Sequence, residues 1–309
     1  MRARAGAARR SARAARVATR RAAAWLVLVV AALALPVEAA TLASWNIRHL
    51  GHGDHKRFDV LGAVVERASF DFVAVQEAMT AEGVDALEAA IERATGVEWE
   101  TMRSHDLGRG SYKEKYAFLW NPEVIEYVDG AVVYLDVTDR FAREPFSARF
   151  RIRDSGLTFV AATVHVFYGH GVADRTPEIA AIAEYWRWLR EIYPEEADRI
   201  VLMGDFNLAP QHPAWAALRP HARPLIVEGA TTLSSVDGRF ANLYDNIWIP
   251  VRHRLPIAGA GIVAFPAAVG LTHAEARRDV SDHAPVWVWL DAAEHRDSAA
   301  PFVGPAGRE

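Results

Sequence analysis

The sequence predicts one mixed α/β domain across most of its 309 residues. Three observations carry that reading. Short apolar, β-branched or aromatic runs alternate with helical ones. No internal repeat and no long linker interrupts residues 41–291. Polar, chemistry-bearing residues recur at the ends of the apolar runs, where a rigid sheet presents side chains to a shared cleft. The expected strands are Leu42–Ile47, Phe70–Gln76, Tyr116–Trp120, Phe146–Ile152, Leu157–His165, Ile200–Gly204, Leu243–Ile249 and Pro285–Leu290. The expected helices are Arg57–Arg67, Val84–Arg93 and Thr176–Ile192. In the last of these, Ile179, Ile182, Trp186 and Leu189 recur at three- and four-residue steps, with Thr176 as the cap and Pro177 in the first turn. Ala258–Val269, rich in Ala, Gly and Pro, reads as a loop, and residues 293–309 as a disordered tail.

Residues 1–39 read as a signal peptide. Met1–Arg21 carries eight arginines and no acid, Ala22–Pro36 is an apolar run too short for an ordinary membrane span, and Val37-Glu38-Ala39 places small residues before a cut at Ala40. The expectation is export, to the periplasm or the medium, with no stable membrane span once the segment is removed. A retained anchor is the alternative, and Arg20-Arg21 is a poor match to a twin-arginine signal. Removal takes eight of the 35 basic residues and one of the 39 acidic ones, leaving a formal charge of −11. A protein that binds nucleic acid through overall charge is usually basic, so any polyanion must be gripped by a local patch and by metal. The chain has no cysteine, which excludes disulfides, thiolate metal sites and a cysteine nucleophile.

Gly204-Asp205-Phe206-Asn207 follows the apolar run Ile200–Met203. It offers a hard oxygen donor and an amide two residues apart, although an Asx turn closing the strand has the same look. Ser281-Asp282-His283 precedes the alternating strand Val286–Trp289, so that one side chain can hold a metal while its neighbour exchanges a proton. Asn46 ends the first strand, and Glu77 stands at the mouth of Phe72–Val75, where it is costly unless paired or metal-bound. Val164-His165 and Tyr244-Asp245 repeat the placement. Acids for a divalent cation together with two imidazoles are the inventory for metal-assisted hydrolysis of a phosphate ester. No phosphate-binding Gly-rich loop with Lys and no G-x-S-x-G elbow is present.

From Leu42 to Leu290 these segments also resemble, in order, the DNase I-like endonuclease/exonuclease/phosphatase superfamily: Trp45-Asn46-Ile47-Arg48, Val75-Gln76-Glu77, Thr163-Val164-His165, Gly204–Asn207, Tyr244-Asp245 and Ser281-Asp282-His283. Leu107–Tyr116 and Phe141–Pro145 are similar to segments of the DNase I branch. The resemblance implies an α+β fold, a four-layer α/β/β/α sandwich. It implies Glu77 as main ligand of Mg²⁺ (Mn²⁺ or Ca²⁺ as alternatives), with Asn46 and Asp282 close by. His165 would be supported by Glu114 and His283 by Asp245, while Asp205 and Asn207 orient water or phosphate. Arg109, Tyr112 and Arg143 would contact a nucleic-acid substrate. Met79 stands where related nucleases carry a minor-groove arginine, and Glu228–Thr232 is only suggestive of a family calcium site. The alternatives are a sphingomyelinase-like or other phosphodiesterase or phosphatase on a lipid or small phosphoester, whose membrane-acting form calls for an exposed apolar hairpin such as Ala258–Val269 with Phe265, and a non-catalytic binding protein on the same fold. His49, His52 and His55 read as a solvated loop, with zinc as the alternative. Trp186, Trp188, Trp287 and Trp289 read as core and sheet-face packing.

Overall fold

A computed structural model describes residues 39–53 and 55–291. The leader expected over residues 1–39, apart from Ala39, and the tail expected over 293–309 lie outside the described residues. The elements are β1 (Ala39–Leu50), α1 (Phe58–Arg67), β2 (Phe72–Ala78), α2 (Ala81–Thr95), β3 (Glu100–Arg103), β4 (Lys115–Trp120), β5 (Ile125–Val133), β6 (Phe146–Ile152), β7 (Thr158–His165), α3 (Val172–Ile192), β8 (Ile200–Asp205), β9 (Ala222–Pro224), β10 (Asp245–Pro250), β11 (Ile257–Ile262), α4 (Phe265–Ala268), α5 (His273–Asp279) and β12 (Val286–Asp291). They build two six-stranded sheets, ordered β11-β12-β1-β2-β4-β3 and β5-β6-β7-β8-β10-β9.

The unbroken apolar runs are explained by burial on both faces of each sheet. Successive residues of a strand point to opposite sides. In β4, Tyr116, Phe118 and Trp120 enter the core between the sheets, while Ala117 and Leu119 face α1 and α2. In β8, Val201 and Met203 enter that same core, and Ile200 and Leu202 face α3. Helices thus cover the outer face of each sheet, giving the expected four layers. The aromatic centre of the middle layer is Phe72, with Phe150 5.0 Å away and Phe118 5.3 Å away.

Two expectations are corrected. Ala258–Val269 is not a loop: β11 pairs antiparallel with β12, and α4 follows. Its glycines serve packing, because a Cβ on Gly261 would lie 3.1 Å from the Trp287 ring and one on Gly259 3.4 Å from it. Phe265 is buried against Trp45, with ring centroids 5.5 Å apart, so this segment is no exposed apolar hairpin. Helix α3 begins at Val172, before the expected Thr176. Asp174 accepts from the backbone N–H of His170 (2.8 Å) and Gly171 (3.2 Å) and caps it there. Pro177 therefore lies inside the helix and cannot donate to the Ala173 carbonyl; the Thr176 hydroxyl donates to it instead, at 3.1 Å. Among the described residues no helix is long and apolar enough to cross a membrane.

Asp71 closes the turn into β2, accepting from the Thr41 N–H at 2.8 Å. Burial raises its pKa to about 6. The folded state therefore holds this proton more tightly than the unfolded chain does. The stabilising contribution is present below the unfolded value near 3.9 and is lost as pH rises through about 6. Asp71→Asn keeps an acceptor for Thr41. It is expected to raise the urea-unfolding free energy at pH 7.5 by about 1–2 kcal/mol and to leave it unchanged at pH 4; equal effects at both pH values would refute the assignment.

Candidate active site

The site is built where strand ends of the two sheets meet. In the second sheet, His165 pairs with Asp205 across β7–β8, and Asp205 with Asp245 across β8–β10. One register row thus sets a histidine and two carboxylates side by side. Gly204, at φ +151°, is required for this, since a Cβ there would stand 2.0 Å from the Val164 carbonyl oxygen. From the first sheet, β1 contributes Asn46, and a ladder irregularity in β2 after Val75 turns Glu77 into left-handed backbone, φ +57°. His49 and Asn207 are left-handed too, at φ 54° and 50°. Such conformations cost on the order of 1–3 kcal/mol each, and here they aim site groups.

Two histidine–carboxylate pairs converge on Asp205. His165 Nδ1 lies 2.9 Å from Glu114 Oε1, and His283 Nδ1 2.7 Å from Asp245 Oδ2. Their Nε2 atoms then stand 3.6 and 3.7 Å from the same atom, Asp205 Oδ2. Burial alone would push both imidazoles towards neutrality. For His283 the charges of Asp245 and Asp205 outweigh it and raise the pKa to about 10. For His165, burial and Arg143 both lower the pKa, yet Glu114 and Asp205 leave it raised. The carboxylates answer in kind: burial works to raise Glu114 and Asp205, but the imidazoles beside each, with Arg143 also acting on Glu114, hold both below the usual range.

An open cleft of about 620 Å³ exposes this centre. His165, His283, Asp205, Asn207, Glu77, Asp282, Tyr112 and Arg143 all line it, whereas Glu114, Asp245 and Asn46 stand fully buried behind. Asn46 does not present an oxygen to the cleft. Its Nδ2 donates to Glu77 Oε1 and Asp205 Oδ2, both at 3.0 Å, and its oxygen accepts from the Arg48 N–H. Two neighbouring carboxylates need a donor between them, so Asn46 bridges them; a half-turn of its amide would exchange the two ends. Asn207 is likewise committed, its amide nitrogen donating to the Val166 carbonyl at 2.8 Å. Arg143, expected on phosphate, is buried and donates through Nε and Nη2 to the His165 carbonyl at 3.0 and 2.9 Å. Arg109 is not brought to the cleft at all. It forms an exposed ion pair with Asp139, 2.9 Å away.

Several supporting residues are given no role by the sequence. Gln76 Nε2 donates to Thr163 Oγ1 at 2.8 Å and to Ser44 Oγ at 3.1 Å, tying the sheets together beneath the site. The Thr231 hydroxyl accepts from the Asp245 N–H at 3.1 Å, so the stretch read as a weak calcium signal positions the His283 partner. Ser281 donates to the Asn46 carbonyl at 2.6 Å. Arg277, 3.1 Å from Asp282, closes the cleft wall. Gln76, Thr163 and Ser281 stand inside recognised motifs, but nothing in the sequence gives them these partners.

The donor chemistry fits a hard divalent cation. Carboxylates of Glu77, Asp205 and Asp282 line the cleft, and Asp245 Oδ1 is buried without a hydrogen-bond partner. Asp205, Asp245 and His283 also offer ligand atoms within 4.8 Å of one another, but the 2.7 Å contact of His283 with Asp245 marks that part as a proton-handling pair. His49, Nε2 3.5 Å from Glu77 Oε2, is part of the cleft rim, and the 49–55 loop forms no metal cluster among the described residues.

The sequence profile of the Endonuclease/Exonuclease/phosphatase family matches residues 43–283. A "Deoxyribonuclease" of Thioalkalivibrio sp. (strain K90mix) is 48% identical over 290 residues, covering 92% of this chain and 80% of that protein. "Deoxyribonuclease-1" of Gallus gallus is 30% identical, covering 86% and 98%. An endonuclease/exonuclease/phosphatase structure from Bacteroides vulgatus superposes with a TM-score of 0.60 at 18% identity, over 82% of this chain and 98% of that one, which speaks to the fold alone. Profile, relatives and the histidine–carboxylate geometry agree: the chain belongs to the endonuclease/exonuclease/phosphatase family, within the DNase I-like superfamily.

Proposed function

We propose that the chain is an exported, divalent-cation-dependent endonuclease that hydrolyses phosphodiester bonds, with DNA as first substrate. One observation carries the reading: the convergence of both imidazole Nε2 atoms on Asp205 Oδ2. The relatives called deoxyribonucleases support nucleic acid as substrate, and the leader-like first 39 residues support export. A scissile phosphate entering the cleft meets two imidazoles whose outer nitrogens face it, because Glu114 and Asp245 hold the inner ones. One imidazole protonates the leaving oxygen, and the other balances charge on the phosphoryl oxygens. Asp205, kept anionic between them, orients the attacking water in line and draws on its proton. Glu77, with Asp282 nearby, would hold Mg²⁺, which supplies further neutralisation of the phosphoryl oxygens when bound.

The test incubates the purified chain with plasmid DNA, RNA and sphingomyelin, in Mg²⁺ and then with EDTA. Cleavage of DNA in Mg²⁺, abolished by EDTA, is expected. Hydrolysis of sphingomyelin with nucleic acids intact would replace the nuclease reading by the lipid one, and undiminished cleavage in EDTA would remove the cation from it.

A further inference from the structure

A second pocket, of about 540 Å³, adjoins the catalytic cleft and shares Arg48, His49, Ser234, Ser235 and Arg277 with its lining. Its walls are one face of α5, Arg48 and His49 of β1, His55 and Lys56, and residues of the 234–238 turn. Arg48, Lys56, Arg277 and Arg278 line it, and among the described lining residues none is acidic, although Asp237 of the 234–238 turn lies near enough to His273 to act on its charge. This is notable in a chain whose formal charge, less the leader, is −11.

The pocket's construction holds that charge in place. Arg278 binds Asp279 through Nε and Nη2, at 2.7 and 2.6 Å, which fixes the guanidinium and turns Nη1 to the opposite edge. Arg277 is anchored on Asp282 at 3.1 Å. His273 Nε2 donates to the Ser234 carbonyl at 2.9 Å and pins the turn to α5. Lys56 donates to the carbonyls of Ile47, Arg48 and Val280, so it contributes positive charge to the floor but no spare hydrogen-bond donor. Asp279 and Asp282 are thus each engaged by an arginine, and the pocket lining offers guanidinium, imidazole and serine hydroxyl groups. That set matches a tetrahedral oxyanion with several acceptor oxygens.

We propose that this pocket is a phosphate subsite, taking a phosphodiester group of the same nucleic-acid strand beyond the scissile one. The shared wall sets the reach: a strand lying in the cleft passes Arg48 and Arg277 and continues into the pocket. The inference rests on the nuclease reading above and adds a length requirement to it. Substrates too short to fill both sites lose the second grip.

The experiment uses the full chain and two variants outside the catalytic machinery. Arg278→Glu reverses a charge whose side chain is 63% exposed. Val236→Asp adds a carboxylate at the rim, on a residue 91% exposed, without removing any hydrogen bond. Each is assayed on a DNA duplex long enough to span the cleft and the pocket, across a salt series, and on bis(4-nitrophenyl) phosphate. Both variants are expected to raise KM for the duplex about tenfold, to lower the log–log salt slope by about 0.9, and to hydrolyse the small ester at the wild-type rate. Wild type cleaving the duplex, with both variants unchanged in KM and slope, overturns the subsite alone. Loss of small-ester hydrolysis in both overturns it as well, since the residues then act on the chemistry. Variants that alter inhibition by inorganic phosphate but not duplex KM assign the pocket to free phosphate and overturn the strand assignment. A wild type inactive on any nucleic acid removes the nuclease reading, and the subsite with it.

Discussion

His165→Ala and His283→Ala are each expected to lower kcat on DNA by about 10²–10⁴-fold, and the double variant is expected to be far less than multiplicatively worse. The non-additivity follows from shared geometry. Both Nε2 atoms stand within 3.7 Å of the same Asp205 oxygen. Removing one imidazole leaves that carboxylate half-balanced and weakens what the other can do. Alanine also strips a buried carboxylate of its partner, Glu114 in one case and Asp245 in the other, and a buried unpaired charge can cost about 3–5 kcal/mol. Glu114 keeps Arg143 at 3.6 Å, so His165→Ala should lose less stability than His283→Ala. Urea midpoints measured beside the rates separate folding from chemistry. Either single variant turning over at close to the wild-type rate would take that histidine out of the mechanism, and strictly multiplicative losses would dissolve the unit.

Glu77→Gln is expected to lose at least about 10³-fold in Mg²⁺-supported activity, with unfolding free energy changed by no more than about 2 kcal/mol. The carboxylate accepts from Asn46 Nδ2 through one oxygen and from the His49 N–H through the other, at 3.0 and 3.1 Å. An amide of the same shape keeps only one acceptor, so one donor faces another and the loop shifts slightly. It also removes the charge that a hard cation requires. Mg²⁺ affinity, measured by calorimetry with no substrate present, should fall in parallel. Unchanged turnover in Mg²⁺ would rule out Glu77 as the principal ligand; unchanged affinity with lost turnover would give it a role on substrate instead.

Much of the site was legible because its residues sit at the ends of buried strands, where an acid or imidazole has no packing reason to be. Asp205 after Ile200–Met203 and Glu77 after Phe72–Val75 stand out for that reason. The resemblance supplied the pairing of His165 with Glu114, which no periodicity could give across 51 residues. What escaped were properties decided by neighbours far along the chain. Arg109 reads as a substrate contact until Asp139 is found beside it. Arg143 lines the cleft as expected, and its Nε and Nη2 hold the His165 carbonyl, a tie that no motif announced. Gly259 and Gly261 look like loop residues because composition cannot show the Trp287 ring lying across them. Thr231 and Gln76 are ordinary polar residues until their hydrogen bonds are traced.

Strand β1 lies inside its sheet between β2 and β12, and its Ala39 pairs with Asp291 at the far end of the described chain. The first of the described strands therefore waits for the last of them. Pairings this distant in sequence close late and slow folding. The segment just ahead of β12 carries Asp282 and His283, and Ser281 locks it to Asn46. A chain that stops before Ser281 has an open edge on β1 and lacks one of the two histidine–carboxylate pairs, so among the described elements sequence order itself delays competence until the final strand docks.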